Sequence, residues 1–111
     1  MAINPEVIKL DACGFYEYYE RNPFFKHDKY HPIDREQVEI CKKWIKEFLK
    51  PTKTIKDDPT SYHYKHMVEE WSGQYISNGA FILAMLELGY NFRKSGPNAV
   101  FNAVLAKKER D

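Results

Sequence analysis

The sequence predicts a mostly helical α+β domain: a three-helix core, a C-terminal β-hairpin, and an aromatic helical extension in front. Three stretches predict it. Residues 34–51, DREQVEICKKWIKEFLKP, carry apolar side chains at helical spacing between a capping aspartate and a proline. Residues 77–89, SNGAFILAMLELG, run from a capping pair through an unbroken apolar stretch to a glycine. Residues 90–106, YNFRKSGPNAVFNAVLA, place a Ser-Gly-Pro-Asn turn between two β-leaning runs.

Taken in chain order, Asn4-Pro5-Glu6 opens a short helix, with Asn4 as cap and Pro5 at the first helical position, that Gly14 interrupts or ends. In FYEYYERNPFF, residues 15–25, the rings of Phe15, Tyr18 and Tyr19 fall at i, i+3 and i+4, so a turn or two of helix precedes Pro23. These aromatics pack onto the domain's own core or, alternatively, project as an aromatic-acidic docking segment. Residues 26–33 read as a loop. In the helix that follows, Asp34 caps, Gln37 completes a capping box, and Val38, Cys41, Ile45, Phe48 and Leu49 line one face before Pro51 stops it. Each large apolar side chain on that face is worth roughly 1.5–3 kcal/mol when buried.

A short strand is predicted around Thr52–Ile55. Beyond Pro59, Thr60 or Ser61 caps a helix that runs to about Trp71 and stops at Gly73. Ser77 or Asn78 caps the apolar helix, and Gly89 sits where a left-handed C-terminal stop is needed. The hairpin strands are Tyr90–Lys94 and Ala99–Leu105, and the tail KKERD frays. The chain of 111 residues therefore reads as one domain, with residues 1–33 as extension, 34–106 as core and 107–111 as charged tail. Helix, short strand, helix, tight turn, helix, strand, turn, strand is the element order of a winged helix-turn-helix.

Charge and composition narrow the function classes. The formal net charge is +1, so the domain lacks the strong overall positive field of a non-specific nucleic-acid binder. The asymmetry is local: Asp57–Leu88 holds Lys65 against five carboxylates, while Gly89–Asp111 holds five cations against two, placing the positive end at the C-terminus. Two cysteines and no signal-peptide pattern in MAINPEVIKL fit a reduced, cytoplasmic setting. The longest apolar run, Ala80–Leu86, falls far short of the ~20 residues that span a bilayer.

The apolar helix occupies the position of a recognition helix, yet it offers no Lys or Arg to base edges, and its only charge, Glu87, repels phosphate. A stripe so broad is either a central helix covered on nearly every side or one that meets a partner chain, a second copy included. The buried central helix is the favoured reading. Nucleic acid would then be held by phosphate contacts at the helix start, where Ser77 and Asn78 leave backbone N–H groups free, together with Lys65 and His66 on the preceding helix and Arg93 and Lys94 on the hairpin.

Other chemistry has weaker support. His27/His31 and His63/His66 are spaced to share a helical turn, and Cys13 or Cys41 could complete a zinc site, but no C-x-x-C unit or common finger spacing is present. The expectation is therefore no bound metal or cofactor, with His66 paired to Glu70 instead. No nucleophile elbow, phosphate-cradling glycine loop or carboxylate cluster points to catalysis.

The stretch Ser61–Asn102 carries Ser61, Tyr62, Lys65, His66 and Glu69, then YISNGAFILAM with Gly89 and Tyr90, then Gly96, Pro97, Asn98, Phe101 and Asn102. In this pattern it resembles a set of small uncharacterised proteins of bacteriophages and integrated mobile elements. That resemblance implies a phage or bacterial origin and a mobile-element role, and names no reaction. Two functions follow as expectations: a nucleic-acid-binding accessory protein, or a protein-binding module, inhibitor or adaptor, aimed at a host or replication protein.

Overall fold

The computed structural model describes residues 3–22, 24, 27 and 29–106. A 3-10 turn at Pro5–Ile8, capped by the Asn4 side chain, leads into a small hairpin of β1 (Leu10–Asp11) and β2 (Gly14–Phe15). Gly14 therefore serves a β-turn rather than ending a helix. The short helix α1 (Glu17–Arg21) lies within the predicted aromatic stretch. α2 spans Arg35–Phe48, α3 Ser61–Ser72 and α4 Asn78–Glu87.

Three strands complete the fold around β3 (Leu49–Pro51): β4 (Phe92–Ser95) pairs antiparallel with β5 (Asn98–Phe101), and β6 (Ala103–Leu105) pairs antiparallel with β3. The turn is Gly96-Pro97, with Gly96 at φ 62°, the left-handed first position that a tight hairpin requires. β5 and β6 are one run broken at Asn102. That side chain accepts from the Asn91 N–H (2.8 Å) and donates to the Thr52 carbonyl (3.1 Å), so it links the β4 side to the β3 side. The result is an α+β fold with small antiparallel sheets.

Two local expectations are corrected. The strand lies at Leu49–Pro51, ahead of Thr52–Ile55, so Leu49 and Pro51 belong to a sheet rather than to the helix end. Gln37 does not close a capping box: Asp34 Oδ1 accepts from the Glu36 N–H, while Gln37 Oε1 accepts from the Ser77 N–H (2.9 Å). A long-range partner outcompetes the local one, because the start of α4 packs against α2 and its N–H would otherwise be buried unpaired.

The core is centred on α4, where Phe81, Ile82, Leu83, Ala84 and Met85 are all buried and Leu86 and Leu88 partly so. Tyr64 and Trp44 bring their rings to 5.3 and 6.2 Å from that of Phe81, and Phe101 closes from the sheet at 6.0 Å. The apolar helix is thus the walled-in pillar its sequence predicts. The extension contributes to the same core through Leu10 and Phe15, whereas Phe24 is exposed. Residues 107–111, the predicted tail, lie outside the described residues, as does Phe25. Among the described residues no helix is long and apolar enough to cross a membrane.

Close approach by glycine seats the N-terminal hairpin on α4. The Gly79 N–H donates to the Ala12 carbonyl (3.0 Å), and a Cβ at Gly79 would collide with the Asp11 carbonyl. At Gly14, with φ 121°, a Cβ would strike the Pro97 carbonyl, which instead accepts from the Phe15 N–H (2.9 Å). Extension, central helix and hairpin turn therefore meet at one place.

Candidate functional site

The meeting point contains the predicted helix start, and it is occupied. Ser77 Oγ caps the Ala80 N–H (3.1 Å), Gly79 bonds to Ala12, and Phe81 bonds to the Ser77 carbonyl. Ser77 is only 3% exposed and Asn78 7%. The free N–H groups that phosphate binding needs are thus largely spent within the protein, which corrects the expectation of an open anion site there.

The four predicted cationic and imidazole groups do not converge. Arg93 reaches Asp57 (2.7 Å) and Lys94 reaches Glu17 (3.0 Å), on opposite faces of β4 because successive strand residues alternate. Lys94 also lies over the Phe15 ring. Its hydrogen bond and charge hold the Glu17 carboxyl below the usual range. His66 binds Glu69 (2.9 Å), three residues on, instead of the expected Glu70. Lys65, 6% exposed, binds the other oxygen side of the same carboxylate at 3.2 Å. Glu69 also accepts from the Ile76 N–H, and although burial pushes its pKa up, these hydrogen bonds together bring it below normal.

Lys65 and Asn78 are nevertheless brought together, as walls of a cleft of about 590 Å³. The β1–β2 turn supplies Ala12 and Cys13, α1 supplies Tyr19, and His31 closes one side. Tyr62 of α3 and Tyr75 of the α3–α4 linker stand at the mouth, 52% and 67% exposed, with the Lys65 ammonium 5.3 and 5.0 Å from their ring centres. Pro97 and Asn98 of the hairpin turn form the remaining wall. No carboxylate is among these lining residues.

The amides in that wall have a defined orientation. Asn78 Nδ2 donates to the Cys13 carbonyl (3.2 Å), which can only accept, and to Asn98 Oδ1 (2.9 Å), so both amides are fixed by their bonds. Asn78 Oδ1 is buried with no hydrogen-bond partner among the described residues. Sequence reasoning found Lys65 and Asn78 but missed Tyr62, Tyr75 and Asn98 as their neighbours, since nothing local indicates that residues from seven segments share one cleft.

A second feature was countable in the sequence and overlooked. Residues 42–56 contain six lysines and one carboxylate, Glu47, a net charge of +5 and a larger local excess than at the C-terminus. Lys42 is engaged by Glu87. Lys43 and Lys46 are exposed on the last turns of α2, Lys50 on the edge strand β3, and Lys53 and Lys56 on the segment after it. None of these five has a carboxylate partner among the described residues. The segment runs beside the sheet, since Thr52 and Lys56 donate backbone bonds to the Asn102 and Phe101 carbonyls.

Asp11, fully buried, accepts from the Cys13 and His31 N–H groups and lies 2.6 Å from His27 Nε2, whose ring stacks on Tyr16 at 4.8 Å. Burial first, and then the Asp11 charge, raise the Cys13 thiol pKa, so no thiolate nucleophile is prepared there. Cys41 is buried in the core and pushed up to about 12. No cluster of three metal-ligating side chains occurs among the described residues, and neither histidine pair is joined by a cysteine. No protein-family model matches the chain, and neither the curated proteins nor the solved structures give a match.

Proposed function

We propose that this protein is a winged-helix-like nucleic-acid-binding accessory protein of a bacteriophage or mobile genetic element, cytoplasmic in the host cell, that grips phosphates along its lysine edge. Support for the winged-helix reading comes from connectivity: α2, β3, α3, α4, then a hairpin whose second strand continues as β6 to pair with β3. The single observation that carries the function is the run of five exposed lysines from Lys43 to Lys56, none with a carboxylate partner among the described residues. With α4 buried, base edges are not read by this helix. The contacts are of the positioning kind, with little sequence discrimination.

Five phosphate contacts predict a slope of log K against log salt of about −4.5 on duplex DNA and about −3.5 on a single strand. A fluorescence-anisotropy titration of duplex DNA at rising salt measures it. Charge reversal at Lys50, Lys53 and Lys56 should lower that slope by about 3 without unfolding the protein. No binding at low salt, or binding indifferent to salt, would sink the reading.

A protein-binding module is the second reading, and one observation favours it. Phe48, Met67, Trp71 and Leu105, together with Glu70, line a shallow, mostly apolar groove of about 340 Å³ in which Trp71 and Leu105 are exposed. It predicts a stoichiometric protein partner that survives nuclease treatment.

A further inference from the structure

The geometry points to the cleft between Tyr62, Tyr75, Asn78 and Asn98 as a pocket for one unstacked nucleobase. This inference deepens the nucleic-acid reading and rests on it for the choice of ligand, but it concerns a surface that the lysine edge does not include. Its volume of about 590 Å³ lies inside the roughly 300–1,000 Å³ range of small-molecule sites. Two tyrosine rings stand exposed at its mouth, with the ammonium of Lys65 within cation–π distance of both. Exposed rings of this kind offer stacking area that any base can use.

Charge separates base from phosphate as the recognised group. Lys65 is already compensated by Glu69, so the cleft carries little net field and has no free cation on which to seat a phosphate. What it does have unfilled is amide capacity. Both hydrogens of Asn78 Nδ2 are spent, leaving Asn78 Oδ1 as a buried acceptor without a donor. The same hydrogen bond turns Asn98 so that its Nδ2 is a donor without an acceptor among the described residues. A ring that stacks on tyrosine and carries a nitrogen or carbonyl acceptor for Asn98 Nδ2 fits these features, and every nucleobase is such a ring. Asn98 is half-buried and lines the cleft, which makes its Nδ2 the group whose bonding changes most on binding.

Calorimetric titration with AMP, with ribose 5-phosphate and with a single-stranded oligo(dA) tests the assignment. AMP or oligo(dA) should bind while ribose 5-phosphate does not, and binding at the cleft should change little between low and high salt. Tyr62→Ala with Tyr75→Ala, both at exposed positions, should weaken it about tenfold or more, while the Phe variants at the same positions retain it. Asn98→Asp keeps the acceptor that Asn78 uses and removes the donor, so it should weaken base binding several-fold with the fold intact by circular dichroism. If AMP binds as well as the oligonucleotide, the source is a free nucleotide; if only the oligonucleotide binds with this tyrosine dependence, the source is a strand. Binding of neither, or binding indifferent to the tyrosines, overturns the pocket. In that event, salt-dependent duplex binding through the lysines would still leave the proposed function standing. Tyrosine-dependent AMP binding without any salt-dependent DNA binding would instead keep the pocket and remove that function.

Discussion

The two ends of α4 are held by opposite chemistry. At its C-terminal end the Glu87 side chain is fully buried, yet it accepts from Arg35 through both guanidinium nitrogens (2.9 and 3.0 Å), from Lys42 (2.7 Å) and from the Ile3 N–H (3.0 Å). Burial alone would raise its pKa, but these donors outweigh burial and hold it at about 2. A carboxylate is also misplaced against the helix dipole at this end, so the two cations must compensate for that as well. At the N-terminal end no charge is used: Ser77, Asn78, Gly79 and Ala80 are held by neutral hydrogen bonds, and one amide oxygen is left over. The difference teaches that one end is saturated and serves stability, while the other keeps spare bonding capacity beside an open cleft.

The largest expected effect lies at the neutral end. An exposed helical glycine replaced by alanine gains up to ~1 kcal/mol of helix propensity. At Gly79 the sign reverses, because the new methyl group meets the Asp11 backbone carbonyl, which cannot rotate away. Gly79→Ala should therefore cost more than ~3 kcal/mol, by lifting the β1–β2 hairpin off α4. Urea unfolding monitored by Trp44 fluorescence measures this; a loss below ~1 kcal/mol would show that the hairpin is not seated as described.

The charged end should respond next. Glu87→Gln keeps the shape but faces Arg35 and Lys42 with a neutral amide. The expected loss is about 2–3 kcal/mol, below the 3–5 kcal/mol of a fully buried pair because Arg35 is half exposed to solvent. The pH dependence follows from the sign of the shift. Glu87 titrates at about 2 when folded and near 4.3 when unfolded, so its stabilisation is complete above about pH 5 and disappears as pH falls towards 2. The wild-type protein should lose about 3 kcal/mol from this group across that window, and Glu87→Gln should lose none of it. Matching acid-unfolding curves for the two proteins would refute the charged anchor.

How much of this was legible in the sequence follows the same division. Helix limits were readable because their signals are local: Asp34, Ser77, Gly73 and Gly89 each act within one turn of their own element. The burial of Phe81–Met85 was readable because a run with no polar face has only one place to go. The N-terminal hairpin was not: β1 and β2 are two residues each and are stabilised by packing on Gly79 and Pro97, 65 or more positions away. Gln37 shows the same failure, since its local capping pattern was genuine but a distant N–H had greater need of it. Of the site residues, Lys65 and Asn78 could be named as polar groups, yet their shared cleft depends on seven segments whose proximity has no local signal. The lysine edge needed only counting in a shorter window.

Adjacent residues at the start of α4 supply the smallest and sharpest test. Ser77→Ala removes the cap on Ala80 and should cost about 1 kcal/mol, as cap losses usually do. Asn78→Ala removes two hydrogen bonds worth about 1 kcal/mol each, but it also deletes a buried acceptor whose lack of a partner costs about 1–3 kcal/mol. Alanine is also the better helix former at that position. The net change should therefore lie within about 1 kcal/mol of zero and below that of Ser77→Ala, although Asn78 makes more bonds. Thermal melts of the two variants decide it. A loss of 2 kcal/mol or more at Asn78 would mean that its oxygen is already satisfied in solution, and the N-terminal end of α4 would then be as saturated as the end that holds Glu87.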